Sequence, residues 1–212
     1  MPSTESTSPV VVIDDDESVR DALTGLFQSV GLATRSYGSV QAFLNSGPSD
    51  DVGCIVLDIR LPGRSGLEFQ ETLSRSGAGR SVVLISAHVD VQMAVRAMKA
   101  GAVDVLSKPV REQDLLEAVN RALAQDRLRR ADAHQDAALQ SRYGALTERE
   151  KQVLTLVAAG LLNKQIASRV SITEATVKLH RSQVMRKMEA ASLPDLVRMA
   201  DRLSSINTAP AF

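Results

Sequence analysis

Apolar residues in the first 125 positions alternate between two rhythms. Short apolar runs predict strands at Val10–Ile13, Ile55–Leu57, Val82–Ser86 and Val103–Leu106, with a weaker one at Leu32–Ser36. Between them the spacing turns helical. Glu17–Val30 places Val19, Leu23, Leu26, Phe27 and Val30 on one side and stops at Gly31. Further helices are predicted at Ser39–Asn45, ending near Gly47-Pro48, at Gly66–Ser74, at Val89–Ala100, closed by Gly101, and from Glu112 onward. Strands alternating with helices predict an α/β fold, a five-stranded parallel sheet with helices on both faces. The nearly continuous apolar strands agree, because such strands are buried on both sides.

The helix opening at Glu112 carries an apolar stripe of Leu115, Leu116, Val119 and Leu123 and then continues. Ala124–Gln140 is rich in Ala, Arg, Gln and Asp and contains no Gly or Pro, so one helix is predicted to about Gln140. No heptad repeat is sustained past Leu123; a solvated connector is the plainer reading and a dimerising helix the alternative. From Leu146 the pattern is wholly helical. Thr147-Glu148-Arg149-Glu150 has the spacing of a capping box. Val153, Leu154, Leu156 and Val157 supply an apolar face, ended by Gly160. Asn163 is placed to cap Lys164–Val170, Thr173 to cap a helix through about Glu189, and Ser192 one through Leu203. The tail Ser204–Phe212 is expected to fray.

Charge sharpens the division. Residues 1–125 hold 11 Lys and Arg against 16 Asp and Glu, whereas residues 145–212 hold 10 against 6. An acidic front and a basic back suggest domains with different partners. No apolar run reaches the length of a membrane span, and the polar start Met1–Pro9 lacks a basic-then-apolar leader. The single cysteine excludes an intramolecular disulfide, which fits a cytoplasmic location. Cys54 lies within a predicted strand and reads as a core residue.

Chemistry concentrates at the strand ends. Val10–Ile13 runs into Asp14-Asp15-Asp16, Cys54–Leu57 into Asp58, Val82–Ile85 into Ser86, and Val103–Leu106 into Ser107-Lys108-Pro109. Right-handed crossovers bring all of these C-terminal ends to one sheet edge, where open α/β sheets bind ligands. Asp15 and Asp58 suit a hard cation such as Mg²⁺, with Asp14 acting directly or through water and a backbone carbonyl near Arg60 as a further oxygen. Asp58 is also a candidate nucleophile for a phosphoryl group. Lys108 would pair with a phosphoryl oxygen, and the Ser86 hydroxyl would donate to another. Singly, each has a plainer role: a solvated turn for the aspartates, a surface lysine, a helix-capping serine. His88 lies near the same edge but has no second histidine or cysteine beside it, and reads as a loop residue.

Residues 9–125 resemble the receiver domain of bacterial two-component response regulators. The resemblance is carried by Val12-Ile13-Asp14-Asp15-Asp16, Leu57-Asp58-Ile59-Arg60-Leu61-Pro62, Gly66, Ser86-Ala87, Ala97-Met98-Lys99-Ala100-Gly101-Ala102 and Lys108-Pro109. It implies a flavodoxin-like, doubly wound sheet, phosphorylation of Asp58 by a sensor histidine kinase, Mg²⁺ on Asp15 and Asp58, and a cis Lys108-Pro109 bond. Two positions depart from the pattern: Val105 and Val110 stand where the family usually carries aromatics. Val105 is too small for the usual inward-swinging rotor, so a smaller change relayed by Ser86 and the backbone is expected.

The helix Glu174–Met188 has a buried stripe of Val177, Val184 and Met188, while Glu174, Lys178, Arg181, Ser182 and Met185 project elsewhere. Basic and small polar residues near its start suit a major groove. His180 reads as a partly buried packing residue. Leu146-Thr147-Glu148-Arg149-Glu150, Val153-Leu154, Gly160, Asn163-Lys164-Gln165-Ile166-Ala167 and Thr176-Val177-Lys178-Leu179-His180 resemble the LuxR-type four-helix helix-turn-helix domain over residues 144–204. Val170 replaces the usual Leu in the turn. With the receiver in front, the chain resembles the FixJ/NarL class of transcription regulators: receiver 9–125, helical linker 126–143 and a small all-α DNA-binding domain 144–204. The resemblance implies DNA contacts from Lys164, Thr173, Glu174, Thr176, Lys178, Leu179, Arg181, Ser182 and Arg186. It implies that the last helix, through Leu196, Val197 and Met199, pairs with its copy. The implied partners are a sensor histidine kinase, double-stranded promoter DNA, RNA polymerase and, on phosphorylation, a second copy of the chain, with no membrane. An enzyme is not expected: a phosphatase built on Asp58 needs a second acid two residues on, where Arg60 stands. Scarce aromatics argue against single-stranded RNA. A phosphate-independent regulator is the alternative, motivated by Val105.

Overall fold

The computed structural model describes residues 8–47, 51–76 and 79–208. The chain divides into two compact units, Met1–Arg130 and Ala131–Phe212. The first alternates β1 (Val10–Ile13), α1 (Glu17–Ser29), β2 (Thr34–Tyr37), α2 (Val40–Asn45), β3 (Cys54–Asp58), α3 (Gly66–Arg75), β4 (Val82–Ser86), α4 (Val91–Lys99) and β5 (Asp104–Ser107), followed by α5 (Glu112–Gly144). The five strands are parallel, in the order β2-β1-β3-β4-β5. The α/β doubly wound architecture agrees with the expectation. The predicted strands lie within one or two residues of those observed, β2 being shifted from Leu32–Ser36 to Thr34–Tyr37.

Strand side chains alternate between two cores, as the two-residue period requires. Val11, Ile13, Ile55, Leu57 and Leu84 join Val40, Phe43, Phe69 and Ala97 on one face. Val10, Val12, Cys54, Val56, Val83 and Ile85 join Phe27, Leu115, Ala118, Val119 and Ala122 on the other. Burial pushes the Cys54 thiol well above its ordinary pKa, consistent with an inert core residue. The outer strands β2 and β5 are only partly buried, because each has a neighbour on one side alone.

Helix starts follow their caps. The side chains of Asp16, Ser39 and Asp90 accept backbone N–H bonds at the starts of α1, α2 and α4. Gly31 (φ 78°), Gly47 (φ 94°) and Gly101 (φ 86°) take up left-handed turns that other residues resist. Pro48 lies outside the described residues. Gly66 is required for another reason: a Cβ there would stand 2.0 Å from the Asp58 carbonyl oxygen. This approach, with Gly66 N donating to Ile59 O at 3.0 Å, seats α3 directly under the end of β3.

The helix α5 extends four residues past the predicted end at Gln140. Its residues 126–143, expected as a connector, are shared between the units. Asp126 is buried and ion-pairs with Arg129 and Arg130, and Arg130 also donates to the Val52 carbonyl at 2.9 Å. Residues 131–135 are exposed. Leu139 is buried and Tyr143 partly buried in the core of the second unit.

That unit also contains α6 (Glu148–Ala158), α7 (Asn163–Val170), α8 (Glu174–Met188) and α9 (Leu193–Thr208). Its core gathers Leu146, Val153, Leu154, Val157, Ile166, Val177, Val184, Met188, Leu196 and Leu203. The capping box at Thr147 and Glu150 is formed, with Thr147 N donating to Glu150 Oε2 at 2.7 Å. Asn163 is not the cap of α7. Leu162 holds that place, its N–H donating to Gln165 Oε1 at 2.8 Å. The frayed tail expected from Ser204 is helical to Thr208; residues 209–212 lie outside the described residues.

Two predictions follow from this packing. Gly66→Ala is expected to destabilise the first unit by about 1–3 kcal/mol, because backbone must move to admit the methyl group. Urea denaturation checks the loss, and faster hydrogen exchange in β3 and α3 locates it. The second concerns Glu150. Burial pushes its carboxyl up, but the Lys187 ammonium at 2.7 Å and the Thr147 N–H outweigh burial and hold it below the ordinary 4.5. A carboxyl depressed in the folded state contributes stability that is present above its unfolded pKa and lost as pH falls through the folded one. The Glu150 contribution to the midpoint of the second unit should therefore hold above pH 4.5 and be lost below it. In Lys187→Met, where the ammonium no longer holds the carboxyl down, the midpoint above pH 4.5 should be lower and this acid-linked fall should shrink or vanish. Thermal melts followed by NMR signals of α6 and α8 measure this.

Candidate functional site

Strand register assembles the acidic site. Ile13 lies beside Leu57 and Asp58 beside Ile85, so Asp14, Asp58 and Ser86 emerge from adjacent strands at one edge. Ser86 pairs with Ser107, which places Lys108 one residue further along the same edge. The site lies where strand order reverses between β1 and β3, the point at which such sheets open a crevice.

The side chains converge as expected. Lys108 Nζ stands 2.6 Å from Asp14 Oδ2 and 2.6 Å from Asp58 Oδ2. The second oxygen of each carboxylate is held by main chain: Asp16 N donates to Asp14 Oδ1 at 3.0 Å and Arg60 N to Asp58 Oδ1 at 2.9 Å. Asp14 is fully buried and Asp58 nearly so, whereas Asp15 and Arg60 are exposed. Burial raises the Asp14 carboxyl above its ordinary pKa, a rise that Lys108 and the Asp16 N–H only partly offset. For Lys108 the balance is reversed. Burial alone would lower the ammonium, but Asp14 and Asp58 together hold it above its ordinary value. The Lys108-Pro109 bond is cis.

Asp16 belongs to the helix. Its carboxylate accepts from the Ser18 hydroxyl at 2.6 Å and the Ser18 N–H at 2.9 Å, which hold it below its ordinary pKa. Ser86 is buried; its hydroxyl donates to the His88 carbonyl at 3.2 Å and accepts from His88 N at 3.3 Å. His88 thus enters through its backbone. Val105 is partly buried against the α2–α3–α4 core, and Val110 against the opposite one.

Carboxylate oxygens of Asp14, Asp15 and Asp58 lie within 4.8 Å of one another. Opposite ligands of an octahedral Mg²⁺ are about 4.2 Å apart, so this donor set fits such a cation after a small contraction. Hard oxygen donors, without sulfur or imidazole, favour the same class of ion.

The second candidate surface lies on α7 and α8. Val177, Val184 and Met188 are buried, as the periodicity requires. The turn between the helices passes through Ser171 in a left-handed conformation (φ 53°). Lys164, Thr173, Glu174, Lys178, Leu179, Ser182 and Arg186 are exposed, and Thr176 and His180 are partly buried. Leu179 is 59% exposed. Three positions differ from the expectation. Arg181 is partly buried, and its Nη1 donates to Asn163 Oδ1 at 2.6 Å, tying α8 to the start of α7. Met185 packs against the core instead of projecting. Leu196, expected to pair with its copy, is buried in its own core because α9 closes over α6 and α8. The Asn163–Arg181 bond, 18 positions apart in sequence, has no periodic signature that could have announced it.

Comparison with known proteins assigns both halves. The response regulator receiver domain model matches residues 10–120, and the model of bacterial regulatory proteins of the luxR family matches residues 144–200. Nodulation protein W of Bradyrhizobium diazoefficiens is 48% identical over 199 residues, covering 93% of this chain and 88% of that protein. Transcriptional regulatory protein FixJ of Azorhizobium caulinodans is 45% identical over 194 residues, covering 91% of each. The response regulator StyR aligns with a TM-score of 0.82 at 42% identity, over 92% of this chain and 99% of that one. Full-length FixJ from B. japonicum aligns with a TM-score of 0.54 at 37% identity, over 93% and 98%. Both domains match in the same order along relatives of similar length, and the chain belongs to the two-component response regulators of the FixJ/NarL class, DNA-binding transcription regulators that join a receiver to a LuxR-type helix-turn-helix.

Proposed function

We propose that Asp58 is the phosphoacceptor through which a sensor histidine kinase controls promoter binding by this chain. The observation that carries the reading is the ammonium of Lys108 held 2.6 Å from both Asp14 and Asp58. In the transfer, an Asp58 carboxylate oxygen forms a bond to phosphorus while the bond from phosphorus to the kinase imidazole nitrogen breaks, and that nitrogen keeps the electron pair. A Mg²⁺ ion held by Asp14, Asp15, Asp58 and a backbone carbonyl near Arg60 offsets the charge of the incoming group when bound. Lys108 stays with the new anion, and the Ser86 hydroxyl exchanges the His88 carbonyl for a phosphoryl oxygen. Because Val105 is small, the rearrangement beyond Ser86 is slight.

The working division is a receiver at 9–125, a helical linker at 126–143 and a DNA-binding domain at 144–204. Phosphorylation favours a homodimer, which presents two α8 helices to half-sites about one duplex turn apart. Lys164, Thr173, Glu174, Thr176, Lys178, Leu179, Ser182 and Arg186 form the DNA face, with Arg181 at its edge. Two linked domains gain affinity through effective concentration, and the phosphoryl group shifts the equilibrium by its preference for one state. RNA polymerase is the downstream partner, the protein acts in the cytoplasm, and the receiver is not itself an enzyme. A phosphate-independent regulator is the second reading, favoured by Val105 where an aromatic rotor would stand.

Incubation with a small phosphodonor and Mg²⁺ should yield an acid-stable, base-labile adduct on Asp58 in the wild type and none in Asp58→Asn, read by mass spectrometry. Footprinting separates the readings: tighter promoter binding only when the wild type is phosphorylated supports control by Asp58, and equal binding with and without the donor supports the second. For the DNA face, Lys178→Ala should weaken binding and, if Lys178 contacts a phosphate, reduce the slope of log affinity against log salt by about 1. An unchanged slope with altered base preference would assign Lys178 to a base edge instead.

A further inference from the structure

Arg20 sits on α1, just past the Asp16 cap, and the proposed chemistry gives it no task. Its Nη1 donates to two successive carbonyls, Asp14 O at 2.9 Å and Asp15 O at 3.0 Å. In an extended strand successive carbonyls point to opposite sides, so their convergence on one nitrogen marks the bend where β1 gives way to α1. The guanidinium lies against the β2–α2 turn, where a Cβ on Gly38 would stand 3.6 Å from the same nitrogen. Asp14 N also donates to Tyr37 O at 3.2 Å, tying the bend to β2.

The three clustered acids are held differently. Asp14 and Asp58 each have Lys108 and a backbone N–H on their oxygens. The Asp15 carboxylate is exposed and has no hydrogen-bond partner among the described residues, yet it lies with the other two. Its direction is therefore set by its own backbone, and Arg20 grips the carbonyls on either side of the bend that aims it. We propose that Arg20 is a positioning residue for the divalent-cation site, holding the Asp14 and Asp15 carbonyls so that the Asp15 carboxylate converges with Asp14 and Asp58. The inference rests on the reading of these acids as a cation site.

Charge and positioning predict opposite signs. A guanidinium near a cation site repels the cation, so if Arg20 acted only through charge its removal would tighten binding. If it positions Asp15, removal weakens binding, and outer-shell partners of metal ligands typically change affinity 10- to 100-fold. The experiment is calorimetric titration of Mg²⁺ into the full-length, unphosphorylated protein, compared among wild type, Arg20→Met and Asp15→Asn. The expected result is binding about tenfold weaker in Arg20→Met, persisting at high salt, with Asp15→Asn weaker still. Should Arg20→Met not fold, Arg20→Gln, neutral and too short to reach both carbonyls, is read by the same criterion. Unchanged or tighter Mg²⁺ binding without Arg20, alongside weakened binding in Asp15→Asn, overturns the inference alone. Wild-type affinity in Asp15→Asn overturns the cation site and the inference with it.

Discussion

The Lys108 ammonium between Asp14 and Asp58 is the interaction around which the receiver is organised. Two carboxylates taken out of water at the ends of neighbouring strands repel each other, and each loses hydration. A cation within hydrogen-bond reach of both makes the arrangement tolerable, and each partner depends on the others. The edge therefore carries a poised, nearly balanced charge cluster. Any charge added at this edge would change that balance and act first on the few groups that hold the cluster and its turn. These are the backbone N–H groups of Asp16 and Arg60 and the Arg20 side chain on the Asp14 and Asp15 carbonyls.

The geometry tolerates little freedom because it is tied to the fold beneath. Asp58 ends a strand buried on both faces, and α3 begins so close to it that only glycine fits at 66. The opposite end of the same strand is near another tether, where Arg130 of α5 holds the Val52 carbonyl and shares Asp126 with Arg129. The strand carrying Asp58 thus lies between two backbone contacts made by helices. In the second unit the corresponding stiffness comes from ties between helices. The Thr147–Glu150 cap is joined to α8 through Lys187, and α7 to α8 through Asn163 and Arg181. These bonds fix the helix that exposes Lys178, Leu179 and Ser182.

Much of this was legible in the chain. The alternation of apolar runs with helical stripes, the left-handed glycines and the capping residues are local signals, and the elements they announce lie close to their predicted bounds. The gathering of Asp14, Asp58, Ser86 and Lys108 was legible because parallel topology brings every strand end to one edge, whatever its separation in sequence. The errors have two origins. Asn163 and Met185 look like a cap and a projecting side chain when each is judged from its own helix, whereas the dimer contact of Leu196 followed from the family resemblance. Which of these residues another helix covers depends on how α6 to α9 pack.

Periodicity, turn chemistry and polarity at strand ends by themselves determined the α/β first domain, the helical second domain and the identities of the acids, the hydroxyl and the lysine. Only the tertiary structure decided that Lys108 bridges Asp14 and Asp58, that Arg20 reaches back to two carbonyls, that Arg181 binds Asn163 and that Leu196 turns inward. Those facts are distances between groups far apart in the chain or across a turn. They are set when packing brings separate elements together, and no local pattern of residue types encodes them.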